Sequence, residues 1–173
     1  MADSVNFENL VASHYGPLYQ FAFSLTRDEA DSCDLVQQTF CIWAQKGHQL
    51  RDASKVKTWL FTTLHREFLE SRRRQTRFPH LELDAAAVDL PVVSPVAVSR
   101  LDTAHVLETL AQVDEIFQAP VALFYLQDCS YNEIAEILDT PIGTVKSRLS
   151  RGICQLQQLL ARDIAASQPP SHL

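Results

Sequence analysis

The sequence predicts an all-α protein composed of two small helical domains that a flexible linker joins. The chain of 173 residues has only four glycines, and 46% of its residues are apolar, which is enough to form hydrophobic cores. Leu, Ala, Gln and Glu are common, whereas alternating strand-like runs are few. A proline-containing stretch divides the chain. We therefore expect domains at 1–77 and 101–166, a linker at 78–100 and a disordered tail at 167–173.

The first domain should begin with two helices. An amphipathic run starts at Phe7, and Gly16-Pro17 is expected to kink or break it. Thr26, with Glu29 three residues later, is typical of a capping box that starts the second helix, which should end near Lys46-Gly47. The residues of this helix that we expect to face a core are Ala30, Cys33, Val36, Phe40 and Trp43.

A third helix should begin near Ser54 and run directly into the basic sequence ESRRRQTR. The side of this helix that we expect to face the core carries Val56, Trp59, Leu60, Thr63, Leu64 and Phe68. The spacing of Trp59 with Val56 and Thr63 favours core packing of this tryptophan over stacking on a nucleic-acid base.

The predicted linker FPHLELDAAAVDLPVVSPVAVSR contains three prolines and has no sustained period. At ~3.5 Å per residue over roughly 23 residues it can span ~80 Å, more than two turns of duplex DNA at ~34 Å each. The two domains could therefore hold two distant sites on one DNA molecule.

The second domain should contain four helices. The first is amphipathic through Val106, Leu107, Leu110 and Val113. The next ends in APVALFYLQ, with Pro120 either in its first turn or at a kink. Ser130 and Glu133 form a capping-box pattern before the short helix YNEIAEIL. Thr140 is expected to cap the last helix, with Pro141 at the first position.

The last two of these helices match a helix-turn-helix, whose second helix enters the major groove of DNA. One face of that second helix should pack, and it carries Val145, Leu149, Gly152 and Leu156. The residues that we expect to bind DNA are Thr144, Lys146, Ser147, Arg148 and Arg151. Response-regulator output domains of the LuxR type contain a similar TVK..L stretch, so this motif alone does not define the function.

Charge is distributed unevenly along an acidic chain with a net charge of -6. Residues 46–80 contain nine basic and three acidic residues, and residues 141–162 contain four basic residues and no acidic residue. Two separate basic surfaces on an acidic body fit binding of nucleic acid at two places.

Several other classes of protein are disfavoured. No serine or cysteine nucleophile has a nearby base in a recognisable motif, and no glycine-rich phosphate loop is present, so we expect no enzyme activity and no cofactor. The four cysteines are scattered, without a CxxC pair, which disfavours a metal site. No apolar run is long enough for membrane insertion and the N-terminus lacks a secretory signal, which favours a cytoplasmic location.

Two stretches together resemble the sigma-70 family of transcription initiation factors. DLVQQTF, followed by TWLFTTLHREFLESRRR, is similar to region 2 of that family, and LQDCSYNEIAEILDTPIGTVKSRLSRGICQLQQLL is similar to region 4. The order of the two matches, and the near absence of other sequence, place the chain with the extracytoplasmic-function (ECF) group. The resemblance implies a sigma factor that directs core RNA polymerase to promoters.

The resemblance also implies roles for individual residues. Residues in the position of the motif that docks on the coiled coil of the polymerase β′ subunit are Asp34, Leu35, Gln37, Gln38 and Phe40, with Gln38 where an acidic residue is usual. Residues expected to bind the unwound -10 element are Lys57, Phe61, Thr62, His65, Arg66, Arg72, Arg73 and Arg74. Of these, we expect Phe61, Thr62, His65 and Arg66 to lie on the side of the helix away from the core. Arg66 stands where many members have asparagine near the pocket for a flipped base.

The implied partners are core RNA polymerase, through its β′ coiled coil and β flap, and promoter DNA, and the resemblance leaves room for an anti-sigma factor. One alternative is a stand-alone helix-turn-helix regulator, which would bind an operator tightly without polymerase. Another is a protein that titrates polymerase or an anti-sigma factor without initiating transcription.

Overall fold

A computed structural model describes residues 6–77 and 100–167, and within these ranges it contains helices and no strand, which confirms the predicted all-α class. The α-helices are α1 (Phe7–Thr26), α2 (Glu29–Lys46), α3 (Val56–Arg77), α4 (Arg100–Leu110), α5 (Glu115–Gln127), α6 (Tyr131–Leu138) and α7 (Ile142–Ser167). Two short 3₁₀ turns, Gly47–Gln49 and Ala53–Lys55, connect α2 to α3. The predicted linker, apart from its last residue, and nearly all of the predicted tail lie outside the described residues.

The first domain is a bundle of α1, α2 and α3 around one apolar core. Leu18, Val36 and Leu60, one from each helix, have no exposed surface. The side of α3 predicted to face the core does so, and Trp59 packs edge-on against Trp43 with ring centroids 5.0 Å apart. Core packing of Trp59 is therefore confirmed.

A predicted break in α1 and the predicted cap of α2 are absent. Gly16-Pro17, expected to kink or break α1, does not break it, and the helix continues through Pro17 to Thr26. The missing N–H of Pro17 removes one helical hydrogen bond, and the buried residues on both sides of it hold the helix together. Thr26 is not the N-cap of α2: because α2 begins at Glu29, the cap is Asp28, whose side chain accepts a hydrogen bond from the Asp31 N–H at 2.9 Å.

The second domain comprises α4 to α7. The predicted capping box of α6 is confirmed, since Ser130 N–H donates to Glu133 Oε2 at 2.7 Å and Glu133 N–H donates to Ser130 Oγ at 3.2 Å. Pro120 is the sixth residue of α5, beyond its first turn.

The start of α7 differs from the prediction. The hydroxyl of Thr140 donates to the carbonyl of Leu138 at 3.0 Å. The carbonyl of Pro141 accepts the Val145 N–H at 3.0 Å, which makes Pro141 the cap residue. The helix therefore begins one residue later than expected.

Helices α5 and α7 approach closely at Gly152. A Cβ atom added to this residue would lie 2.5 Å from Val121 Cγ2 and 2.8 Å from Phe117 Cβ. These separations are shorter than atoms tolerate, so only glycine allows α7 to approach α5 this closely. Gly143, on the same helix, has no neighbouring atom from the described part of the chain within 4 Å of the equivalent position.

The two domains pack directly on each other. Helix α5 contacts α1, and α6 contacts α3. Gln127, the last residue of α5, joins two helices of the first domain: its side chain donates to the Pro17 carbonyl at 3.1 Å, and its own carbonyl accepts from Lys57 Nζ. The side chain of Gln127 is buried by this packing.

We predict that Gly152→Ala destabilises the second domain by about 1–3 kcal/mol, because the added methyl group forces α5 and α7 apart. Gly143→Ala is the matched control, and it should be neutral or stabilising by up to about 1 kcal/mol. Differential scanning calorimetry of both variants measures the difference. Equal melting temperatures for the two would contradict the close packing at Gly152.

Candidate polymerase-binding and promoter-binding surfaces

The predicted polymerase-binding residues on α2 divide into two sets. Asp34, Gln37 and Gln38 are exposed, and because they are three and four residues apart they lie on one face of the helix. Leu35 and Phe40 are buried in the core of the first domain, with 8% and 7% of their surface exposed. In this structure both side chains therefore pack in the core beneath the exposed face of α2, and their contact with polymerase stays a prediction.

The exposed face of α2 borders a groove of about 440 Å³ that α3 closes on its other side. Asp34 and Gln38 line this groove from α2, and Arg72 and Arg74 line it from α3. We call Arg72, Arg73 and Arg74 the arginine run. The predicted polymerase-binding residues and the arginine run are thus neighbours in space, although more than thirty residues separate them in the chain.

The outward side of α3 is only partly as predicted. Arg66 is exposed, and Thr62 and His65 are half-buried. Phe61, expected on this side, is fully buried, and its ring centroid lies 5.4 Å from that of Phe21. The expectation that Phe61 lies away from the core is wrong, because this aromatic ring belongs to the core between α1 and α3. Its binding to the -10 element stays a prediction.

All three residues of the arginine run have carboxylate partners. Arg72 pairs with Glu115 of the second domain at 2.7 Å, and its guanidinium lies over the ring of Phe68. Arg73 and Arg74 lie 3.9 and 3.7 Å from the carboxylate of Glu70, one turn earlier on α3. Each of these arginine side chains is at least half exposed, so the pairs are weak and solvent-screened.

His65 is the titratable group of α3 that the fold perturbs most. Burial lowers the pKa of His65 to about 4. Burial penalises the charged imidazolium, so this side chain is neutral at pH 7. At that pH it offers hydrogen bonds and a ring face rather than a positive charge.

The helix-turn-helix is formed by α6, a corner at Asp139 and α7. Asp139 has a left-handed backbone with φ of 48°, which ends α6 and redirects the chain. Val145, Leu149, Gly152 and Leu156 are buried, as predicted for the packing face of α7. The predicted DNA-binding residues lie on the remaining surface: Lys146, Ser147 and Arg151 are exposed, and Thr144 and Arg148 are half-buried.

A cleft of about 510 Å³ between the domains brings the two predicted DNA-binding sets together. His65 lines it from α3 and Arg148 lines it from α7. Glu115 and Ile116, at the start of α5, complete the side formed by the second domain. Residues predicted to read two separate promoter elements therefore face one cleft.

Within residues 6–77 and 100–167, two ion pairs bridge the domains. Glu115 binds Arg72, and Glu136 of α6 binds Lys55 at 3.1 Å. Sequence analysis did not find Glu115, Gln127 or Glu136, because isolated polar residues on helix surfaces carry no pattern. The sequence indicated only that acidic residues are abundant outside the two basic segments. This abundance did not single out Glu115 or Glu136.

Comparison with known families matches both domains in order. The Sigma-70 region 2 family matches residues 10–78, and the Sigma-70 region 4 family matches residues 105–156. The chain belongs to the sigma-70 family.

Among curated relatives of this sigma factor, the ECF RNA polymerase sigma factor SigE of Mycolicibacterium smegmatis is 31% identical over 162 residues. That match covers 91% of this chain and 62% of SigE, so the chain spans less than two thirds of this relative. The chain falls in the ECF group.

Two solved structures resemble the whole described fold. The sigma factor RpoE from Bartonella quintana, in complex with the anti-sigma factor NepR, has a TM-score of 0.70 at 26% identity, covering 90% of this chain and 97% of that chain. CnrH, in complex with the cytosolic domain of CnrY, has a TM-score of 0.63 at 26% identity, covering 94% of this chain and 92% of that chain.

We predict that the stability of the first domain falls as pH drops from 6.5 towards 4. In this window His65 binds a proton in the unfolded chain but stays neutral in the folded chain, so protons favour unfolding. The loss should be on the order of 1–3 kcal/mol. Both tryptophans, Trp43 and Trp59, lie in this domain, so urea unfolding followed by tryptophan fluorescence reports its stability.

His65→Gln should flatten this pH dependence, and His48→Gln, at an exposed position, is the matched control that should leave it unchanged. Carboxylates titrate in the same range, so the informative quantity is the difference between His65→Gln and the unsubstituted protein. An identical slope for the two would contradict the lowered pKa of His65.

Proposed function

We propose that this sigma factor binds core RNA polymerase through α2 and positions α3 and α7 on the -10 and -35 elements of a promoter. The observation that carries the proposal is the arrangement of exposed polar faces on two family-matched domains: one on α2, one on α3 and one on α7. The protein supplies recognition and strand separation, and the polymerase supplies the bond chemistry. It acts in the cytoplasm, where the polymerase is.

Binding to polymerase is assigned to the exposed face of α2. Asp34 offers a carboxylate, and Gln37 and Gln38 offer amides that donate and accept hydrogen bonds. Leu35 and Phe40 anchor the helix beneath these residues. The β′ coiled coil is the expected partner of this face, and the β flap is the expected partner of the second domain.

Capture of the -10 element is assigned to the outward side of α3. Lys57, Arg66 and the arginine run supply cations for phosphates along a helix of 22 residues, about 33 Å long. Thr62 and the neutral His65 can bind an unpaired base. Because Phe61 is buried, base stacking by this residue is not part of the proposal.

Reading of the -35 element is assigned to the start of α7. Arg148 and Arg151 can bind guanine edges with two hydrogen bonds each, and Lys146 suits phosphate. Thr144 and Ser147 lie one turn before Arg148 and Arg151 and can bind either. An anti-sigma factor is a further proposed partner, supported by the complex in which the similar RpoE was solved.

A stand-alone helix-turn-helix regulator is not favoured, because the region 2 family matches residues 10–78. Such a regulator would bind DNA through the helix-turn-helix alone, and the exposed face of α2 would have no role in its function.

Asp34→Arg combined with Gln38→Arg should weaken binding to core polymerase by more than tenfold. Two charged side chains in a packed interface without partners cost on the order of 2 kcal/mol. Co-purification with core polymerase, followed by transcription in vitro from a promoter mapped after overexpression, measures both steps. Ala12→Arg, at an exposed position on α1, is the control and should bind as the unsubstituted protein does. Failure of the unsubstituted protein to bind core polymerase would overturn the proposed function.

A further inference from the structure

The cleft of about 510 Å³ between the domains is lined largely by apolar side chains. Leu69 of α3 and Ile116 of α5 line it, and they are 40% and 56% exposed. The wall around them is also apolar and consists of Leu25, Phe68, Ala119, Pro120 and Leu138. The cleft is therefore a place where a further apolar group gains free energy by leaving water.

Three polar side chains of the cleft wall are bonded within the protein. The carboxylate of Glu115 pairs with Arg72, and the side chains of Gln118 and Thr140 donate to main-chain carbonyl groups. Because these groups already have partners, a ligand finds its polar contacts at the two other polar lining residues, Arg148 and His65.

Arg148 supplies a positive charge to this cleft. Its side chain is half-buried, yet within residues 6–77 and 100–167 it forms no ion pair and no hydrogen bond. Lys57, which is half-buried as well, donates to the carbonyl of Gln127. A half-buried cation beside apolar walls has lost part of its hydration, so an anion gains a charge-assisted hydrogen bond there. The planar fork of an arginine matches a carboxylate with two such bonds.

We propose that this cleft is a binding site for a small amphipathic carboxylate, with Arg148 holding the carboxylate and Leu69 and Ile116 covering the apolar chain. Both domains form the site, since Leu69 belongs to the first and the other two residues belong to the second. The imidazole of His65 adds a hydrogen-bonding group without a charge.

The size and charge of the cleft select the class of ligand. One turn of a helix about 10 Å across fills roughly 420 Å³, so the cleft accommodates little more than one turn of a protein segment. Its volume lies in the range of ~300–1,000 Å³ that is usual for small-molecule sites. Arg148 would repel a cationic amphiphile, and an uncharged one would leave its guanidinium without a partner.

Equilibrium dialysis of the chain against radiolabelled decanoate tests the site without polymerase or DNA. We expect saturable binding of one molecule per chain. Octanoate has two methylene groups fewer and should bind about tenfold more weakly. Decanamide, which has the same chain without the charge, should compete about tenfold less well than unlabelled decanoate. Absence of saturable binding, or equal competition by decanamide, would overturn the proposed site.

Two pairs of variants locate the bound decanoate. Arg148→Gln should weaken binding about tenfold, whereas Arg162→Gln, at an exposed position of α7 outside the cleft, should leave it unchanged. Ile116→Ser should weaken binding about fivefold, whereas Ile142→Ser, at an exposed isoleucine outside the cleft, should not. Circular dichroism shows that each variant is folded. Equal affinities within either pair of folded variants would overturn the proposed site.

Arg148 also belongs to the predicted -35 set, so a carboxylate on its guanidinium excludes a guanine edge from the same group. This effect of the ligand rests on the proposed function. Decanoate added to the protein before core polymerase should lower transcription in vitro at least twofold, and decanamide should not.

The results separate failure of the ligand site from failure of the proposed function. Unchanged transcription with decanoate bound would overturn the effect of the ligand on promoter reading. An inactive holoenzyme without decanoate would overturn the proposed function, and the dialysis, which needs neither polymerase nor DNA, would still decide the ligand site.

Discussion

The burial of one side of α3 against α1 and α2 is the constraint on which the other features of the molecule depend. Leu60, Phe61 and Leu64 have no exposed surface. Rotation of the helix would move these side chains out of the core and leave cavities there. The remaining side is consequently a fixed array, with Lys57 near its start and Arg72 about 22 Å further along the helix axis, at about 1.5 Å of rise per residue. A fixed array of cations suits a strand of DNA, and it equally suits a complementary row of acceptors from the second domain.

This double use gives the acidic composition a physical role. A chain with a net charge of -6 would be expected to avoid phosphate, yet its basic segments are built for phosphate. In the folded chain Glu115 and Glu136 take up part of that basic charge, so the acidic and basic segments act on each other. The second domain leaves Asp34 and Gln38, on the exposed face of α2, uncovered.

Features that depend on local pattern could be predicted from the sequence, and features that depend on distant packing could not. The Ser130 capping box and the packing face of α7 follow from short-range spacing, and both were found. Phe61 was expected on the outward side of α3 but is buried against Phe21. A helix that packs between two other helices buries a wider part of its surface than a single apolar stripe indicates. Gly16-Pro17 was expected to kink or break α1, but the helix continues because tertiary packing outweighs the loss of one hydrogen bond. The contacts of Gln127 join residues 70 and 110 positions away, and no local pattern encodes them.

We propose that one side of α3 contacts the second domain in the free chain and promoter DNA in the holoenzyme. Photocrosslinking from p-benzoylphenylalanine in place of Leu69 tests it most directly, because Leu69 is 40% exposed and lines the interdomain cleft opposite Ile116. In the free protein the crosslink should map to the peptide containing Ile116. In the open promoter complex it should move to the single strand of the -10 element. A crosslink to the second domain that persists in the open complex, or is absent from the free protein, would contradict the account.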